Sequence, residues 1–175
     1  MLSLNIQNDV ILFRDVQLEY LPQILEWYNK IDEYKFATGI DKPITLEKLT
    51  QKYSEVAICS NEFFVGIYTK ARGDLIGILK GSIRHENKRY SVWISSIVID
   101  TQYQDQGYGS EAVNLLLSHV KAARGIRNAY VAVIENNPRG MAFWLKHGFK
   151  ELKRIPNHIR LDNQDQNVII MRKRI

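Results

Sequence analysis

The sequence predicts one α/β or α+β domain around a mixed, mainly antiparallel sheet. Three observations carry this. The chain has 175 residues, within the roughly 100–200 of a single domain. Its middle alternates β-branched and aromatic runs with short turns, the pattern of an antiparallel meander. Two helical stretches with a buried-type strand between them follow the meander, which adds a parallel pairing. The domain spans residues 10–175, with no repeat, low-complexity tract or linker.

Val10–Asp15 is a short β-rich run. Leu18, Leu21, Ile24, Leu25, Tyr28 and Ile31 recur at helical spacing, with Pro22 in the tolerated first turn. Thr45 is positioned to cap a helix over Thr45–Tyr53. Glu62–Thr69 and Leu75–Arg84 form a hairpin about Lys70–Asp74, and His85–Lys88 turns into a third strand, Arg89–Ile99. Thr101–Gly109 is a loop, and Ser110–Arg124 is a helix ended by Gly125. Asn128–Ile134 is a nearly unbroken apolar strand. Asn137 and Pro138 read as N-cap and first helical residue of a helix ending at His147-Gly148, and Asn167–Met171 supplies a late strand.

Arg89–Ile99 carries information in its parity. Tyr90, Val92 and Ile94 are apolar at even positions, Ile97 and Ile99 at odd ones. Strand side chains alternate faces, so one extra residue near Ser95-Ser96 is needed to hold both sets on one face. A β-bulge supplies it. The alternative is a strand buried on both faces, since Trp93 and Val98 are also apolar.

Gln104-Asp105-Gln106-Gly107-Tyr108-Gly109-Ser110 lies between strand and helix. A helix start has unpaired N–H groups and a positive dipole end, and glycines let a phosphate approach. The bland alternative is a connecting glycine turn. A P-loop is excluded because no lysine follows Gly109. A dinucleotide fingerprint fits poorly because an antiparallel meander precedes the loop and position 129 is Ala129.

The run Ile97–Gly109, with Gln104, Gly107 and Gly109, resembles the [RQ]-x-x-G-x-[GA] acyl-CoA motif of the GNAT superfamily of N-acetyltransferases. Asn137–Phe149 resembles that family's second motif, N-x-x-[AG]-x-x-[LF]-[YW]-x-x-x-G-F, in the family's order and separation. The resemblance implies a GNAT-like sheet in which the two strands flanking the loop helix splay apart, with acetyl-CoA as cosubstrate and no metal. It implies that the backbone of Ile97, Val98 and Ile99 meets the pantetheine amides. Gln104, Asp105, Gln106, Gly107, Tyr108, Gly109 and Ser110 would surround the pyrophosphate, with Ser110 equally readable as a helix cap. Asn137 and Gly140 would contact the cofactor, Asn137 alternatively serving as N-cap. Phe143 and Trp144 would line the channel or simply pack in the core. Lys146 and Arg139 would reach the adenosine phosphates or lie at the surface. The implied acceptor is a small-molecule or protein amine; a homodimer is compatible with the resemblance.

The catalytic residues are not identified by this route. Many family members carry a tyrosine acid where Trp144 stands, and tryptophan offers only an N–H donor. Many carry a glutamate base where Ser95-Ser96 stands. Asp100 and Glu135 are alternatives with ordinary capping or surface readings. Asp32, Glu33 and Asp41, with Tyr28, Tyr34 and Phe36, suit a cationic amine, and equally an amphipathic helix and loop. These gaps also fit a catalytically silent acyl-CoA sensor. His85, His119, His147 and His158 have no metal or triad spacing.

The 24 Lys and Arg against 19 Asp and Glu give +5. The basic residues are scattered apart from Met171–Ile175, so no nucleic-acid partner is expected. One cysteine, Cys59, excludes an internal disulfide or cysteine-based zinc site. Met1–Asp9 lacks a secretory signal pattern and no run reaches the ~20 apolar residues of a membrane span. A cytoplasmic protein is expected.

Overall fold

A computed structural model describes residues 1–86 and 89–175. Seven strands form one sheet in the order β1-β2-β3-β4-β5-β7-β6. They are β1 (Ile11–Asp15), β2 (Glu62–Thr69), β3 (Leu75–Glu86), β4 (Arg89–Ile99), β5 (Asn128–Ile134), β6 (Lys150–Leu161) and β7 (Gln164–Arg174). The helices are α1 (Leu21–Asn29), α2 (Ile31–Thr38), α3 (Leu46–Ala57), α4 (Tyr108–Arg124) and α5 (Pro138–Lys146). Among the described residues only β4 and β5 pair in parallel; the other neighbours are antiparallel. The expected mixed, mainly antiparallel sheet is present.

The sheet separates two apolar layers. On one face Ala112, Val113, Leu116 and Val120 of α4 pack with Phe13, Phe63, Val92 and Ile94. On the other, Leu21, Ile24 and Trp27 of α1 and Leu49 of α3 pack with Phe64, Ile78 and Val98. The bulge lies where parity requires it. Lys80 pairs with Ser96 and Gly81 with Ile94, leaving Ser95 as the extra residue. Val92 and Ile94 before it, and Ile97 and Ile99 after it, all serve the α4 layer, while Val98 serves the other.

Several boundaries differ from expectation. The single helix read over Leu18–Ile31 is a 3₁₀ turn at Leu18–Tyr20, then α1 and α2, broken at Lys30 with φ −79° and ψ 68°. His85 and Glu86, placed in a turn over His85–Lys88, pair in the β3–β4 ladder instead; Asn87 and Lys88 lie outside the described residues. The late strand extends beyond Asn167–Met171 to the full β7, and its partner β6 had no apolar signal, being exposed along most of its length. The missed signal was Asp162-Asn163. Their φ values of 52° and 59° make the left-handed two-residue turn that joins β6 to β7.

Candidate functional site

The parallel ladder between β4 and β5 contains only Val92–Ala129, Trp93–Tyr130 and Ile94–Val131. Pairing therefore stops at the bulge, and the strands part beyond it. The Asp100 N–H donates to the Ile76 carbonyl at 2.8 Å, on the β3 side. Alternation along the strand then turns the polar groups of Val98 toward β3 and those of Ile97 and Ile99 toward the gap. Val98 thus departs from the expected role: its backbone faces β3 and its side chain is buried among the α1–α3 residues. The Ile99 carbonyl is already engaged, accepting from the Tyr34 hydroxyl at 3.1 Å and from Gln104 Nε2 at 2.7 Å.

The loop after β4 ends in Gly107, the N-cap of α4, at φ +89° and with no side-chain cap. Asp105 is also left-handed, at φ 59°. The first backbone bond of α4 runs from Glu111 N–H to the Gly107 carbonyl at 3.0 Å. Among the described residues, the N–H groups of Gln106, Gly107, Tyr108, Gly109 and Ser110 have no internal acceptor. A Cβ on Gly107 would enter open space; one on Gly109 would stand 3.4 Å from the Phe143 ring. A helix start with consecutive unpaired donors is a cradle for an oxyanion, so the loop fits a coenzyme pyrophosphate.

Two loop residues depart from expectation. Gln104 is a brace: its backbone N–H donates to Thr101 at 3.3 Å, and its side chain holds Ile99. Ser110 is not the helix cap, since α4 already begins at Tyr108. Asp105 pairs with Arg139 at 3.3 Å, an exposed contact of little energetic consequence.

On α5, Asn137 fills its N-cap role. Its Oδ1 accepts from Gly140 N–H at 2.8 Å, and a Cβ on Gly140 would collide with that same side chain. Phe143 is half-buried against the loop. Trp144 is a core residue, 5% exposed, set edge-to-face against Phe143 and Phe149 at 5.0 Å centroid distances. Lys146 is exposed.

Both carboxylates considered as bases are engaged. Asp100 Oδ2 accepts from the Trp27 indole at 2.8 Å and Oδ1 from Gln102 N–H at 3.1 Å. Glu135 pairs with Arg154 at 2.6 Å and accepts from Asn167 at 2.7 Å. The acid cluster follows the ordinary reading. Asp32 and Glu33 are exposed. Asp41 accepts from the backbone of Asp162, whose carboxylate pairs with Lys35 at 2.6 Å.

Sequence reasoning missed a cavity of about 130 Å³ at the bulge, on the α1–α3 face. Tyr28, Lys52, Phe64, Lys80, Ser95 and Ser96 contribute to its wall. Burial pushes the Tyr28 phenol up to about 12, so it keeps its proton well into the alkaline range. No group of acids or histidines among the described residues has metal-binding geometry.

A split parallel strand pair with an anion cradle at the following helix defines an acyl-CoA-binding class of α/β fold. The family model described as "Acetyltransferase (GNAT) family" matches residues 21–149, and the chain belongs to that family of acetyl-CoA-dependent acetyltransferases. Solved structures share the fold. Spermidine N-acetyltransferase from Vibrio cholerae, in complex with CoA and spermine, superposes with TM-score 0.81 at 17% identity, covering 95% of this chain and 96% of that one. An acetyltransferase from Salmonella typhimurium that modifies the N-terminal serine of ribosomal protein L7/L12 gives 0.81 at 17%, covering 96% of both. Arabidopsis thaliana NAA60 with a bisubstrate analogue gives 0.71 at 15%, covering 94% and 98%.

Proposed function

We propose that this protein transfers the acetyl group of acetyl-CoA to a primary amine by direct attack within a ternary complex. The observation that carries the reading is the position of the unpaired N–H groups of Gln106–Ser110 at the mouth of the β4–β5 gap. Those groups bind the pyrophosphate. The N–H and C=O of Ile97 and the N–H of Ile99 serve the pantetheine amides. Asn137 caps α5 through Oδ1, which leaves its Nδ2 donors for the cofactor. Phe143 forms the wall between loop and α5. Lys146 stands as a surface charge that attracts the anionic cofactor.

When bound, acetyl-CoA supplies the activated thioester. The protein's part is to orient it, exclude water and admit a neutral amine from the bulge cavity. Spermidine and protein N-termini, acted on by the structural relatives, set the range of acceptors to test. The experiment is calorimetric titration with acetyl-CoA, followed by thiol release with an amine panel. Saturable binding and amine-dependent thiol release are expected. Absence of acetyl-CoA binding overturns the reading, and binding without thiol release for any amine favours a silent sensor.

A further inference from the structure

We propose that the acceptor carries an anionic group close to its amine, and that Lys52 and Lys80 hold that anion in the bulge cavity. This rests on the acetyltransferase reading and specifies its substrate class. Lys80 lies on β3 directly opposite Ser96, beside the unpaired Ser95. Lys52 reaches the same cavity from α3. Both are half-buried, and among the described residues neither lies in an ion pair. No carboxylate is among the cavity's described lining residues. Two half-buried lysines lining one cavity with no counter-charge among its described lining residues favour an anionic occupant. A polyamine would add a third or fourth positive charge to the same space.

The Ser96 hydroxyl is a second, independent mark. It is buried without a hydrogen-bond partner, a cost that structures rarely carry without a use. Ser96 lines this cavity, at the point where β4 leaves β5. It accepts a hydrogen bond from the acceptor amine while the lysines hold the anion. The cavity of about 130 Å³ equals roughly four waters at ~30 Å³ each, which suits a small amino acid or a phosphorylated short amine. The lysines also help the chemistry. Nearby positive charge disfavours an ammonium, so more of the acceptor is the neutral nucleophile. Its nitrogen then bonds the carbonyl carbon of the acetyl group, the C–S bond breaks with its electron pair on sulfur, and one proton moves net from nitrogen to the departing thiolate, giving the free thiol of CoA.

The test is steady-state thiol release with matched acceptors: α-amino acids, their carboxamides, phosphoethanolamine, ethanolamine and spermidine. An anionic acceptor is expected to exceed its neutral counterpart by about 10- to 100-fold in kcat/KM, the worth of a charge-assisted hydrogen bond. Amino acids or phosphoethanolamine leading the panel distinguishes carboxylate from phosphate. Lys80→Met and Lys52→Met should each raise the acceptor KM about tenfold or more with acetyl-CoA affinity intact, and Lys80→Arg should restore it. Preference for spermidine or the carboxamides, or lysine variants with unchanged KM, overturns the inference while leaving the acetyltransferase reading in place. Loss of acetyl-CoA binding in the wild-type protein would instead overturn that earlier reading. If acetyl-CoA binds and no acceptor releases thiol, titration of the same acceptors into the CoA complex decides: binding of the anionic members, weakened by Lys80→Met, supports the anion site, and no binding rejects it.

Discussion

The indole N–H of Trp27 on α1 donates to Oδ2 of Asp100 at 2.8 Å, across 73 residues of chain. The other carboxylate oxygen caps the turn that leads into the phosphate loop. One side chain therefore fastens the helix layer to the end of β4. Trp27→Phe keeps most of the buried ring and removes the donor. Hydrogen bonds to charged groups contribute about 1.5–3 kcal/mol, so a loss of roughly 2 kcal/mol is expected in urea unfolding. A change below about 0.5 kcal/mol, the range of neutral surface substitutions, would show that the pair contributes nothing.

Gly107 separates binding from folding. Its φ of +89° penalises any side chain, yet a Cβ there meets no protein atom within 4 Å. Gly107→Trp should lower stability by only about 1–2 kcal/mol, the left-handed backbone cost, while placing a ring where the anion belongs. Thermal melting should show a folded protein, and calorimetry should show acetyl-CoA binding abolished. Unchanged affinity would remove the loop from the cofactor site.

How much of this was legible in the sequence depended on whether the determining contact was local. The bulge at Ser95 was readable because parity is a property of one strand, and the positive φ of Gly107 because only glycine adopts it freely, although the helix starts at Tyr108 rather than at the expected Ser110. Thr45 was readable as a cap, and its side chain does accept from Lys48 N–H at 3.2 Å. β6 was not, because an exposed edge strand carries charged residues and Pro156 with no burial pattern. The bulge cavity was also hidden. Tyr28, Lys52, Lys80 and Ser96 come from α1, α3, β3 and β4, and no spacing within the chain announces their meeting. The role of Asp41 was hidden for the same reason: it accepts from the N–H of Asp162, 121 residues further along the chain.

Trp144 stands at the position to which the family resemblance assigns a tyrosine acid, but its surroundings are those of a core residue. It is 5% exposed and lies edge-on to Phe143 and Phe149, with interplanar angles of 82° and 72°. Trp144→Ala should cost about 3–5 kcal/mol of stability. Trp144→Phe should cost less and leave kcat within about threefold, since no interaction made only in the transition state is removed. A hundredfold fall in kcat at constant KM, from about that same comparison, would assign the indole N–H a catalytic role.

Tyr28 makes stability depend on alkaline pH. Burial raises its phenol to about 12, against ~10 in an unfolded chain. Below pH ~10 both states keep the proton and the contribution is fully present. As pH rises above that, the unfolded state ionises first, so stability falls until the folded phenol also titrates near 12. Between about pH 9 and 11 the wild-type protein should lose roughly 1 kcal/mol more than Tyr28→Phe, read from urea unfolding at each pH. Near neutrality the two should differ little, because the phenol makes no hydrogen bond to the described residues. Parallel curves for the two proteins up to pH ~11 would show that Tyr28 titrates as an exposed phenol.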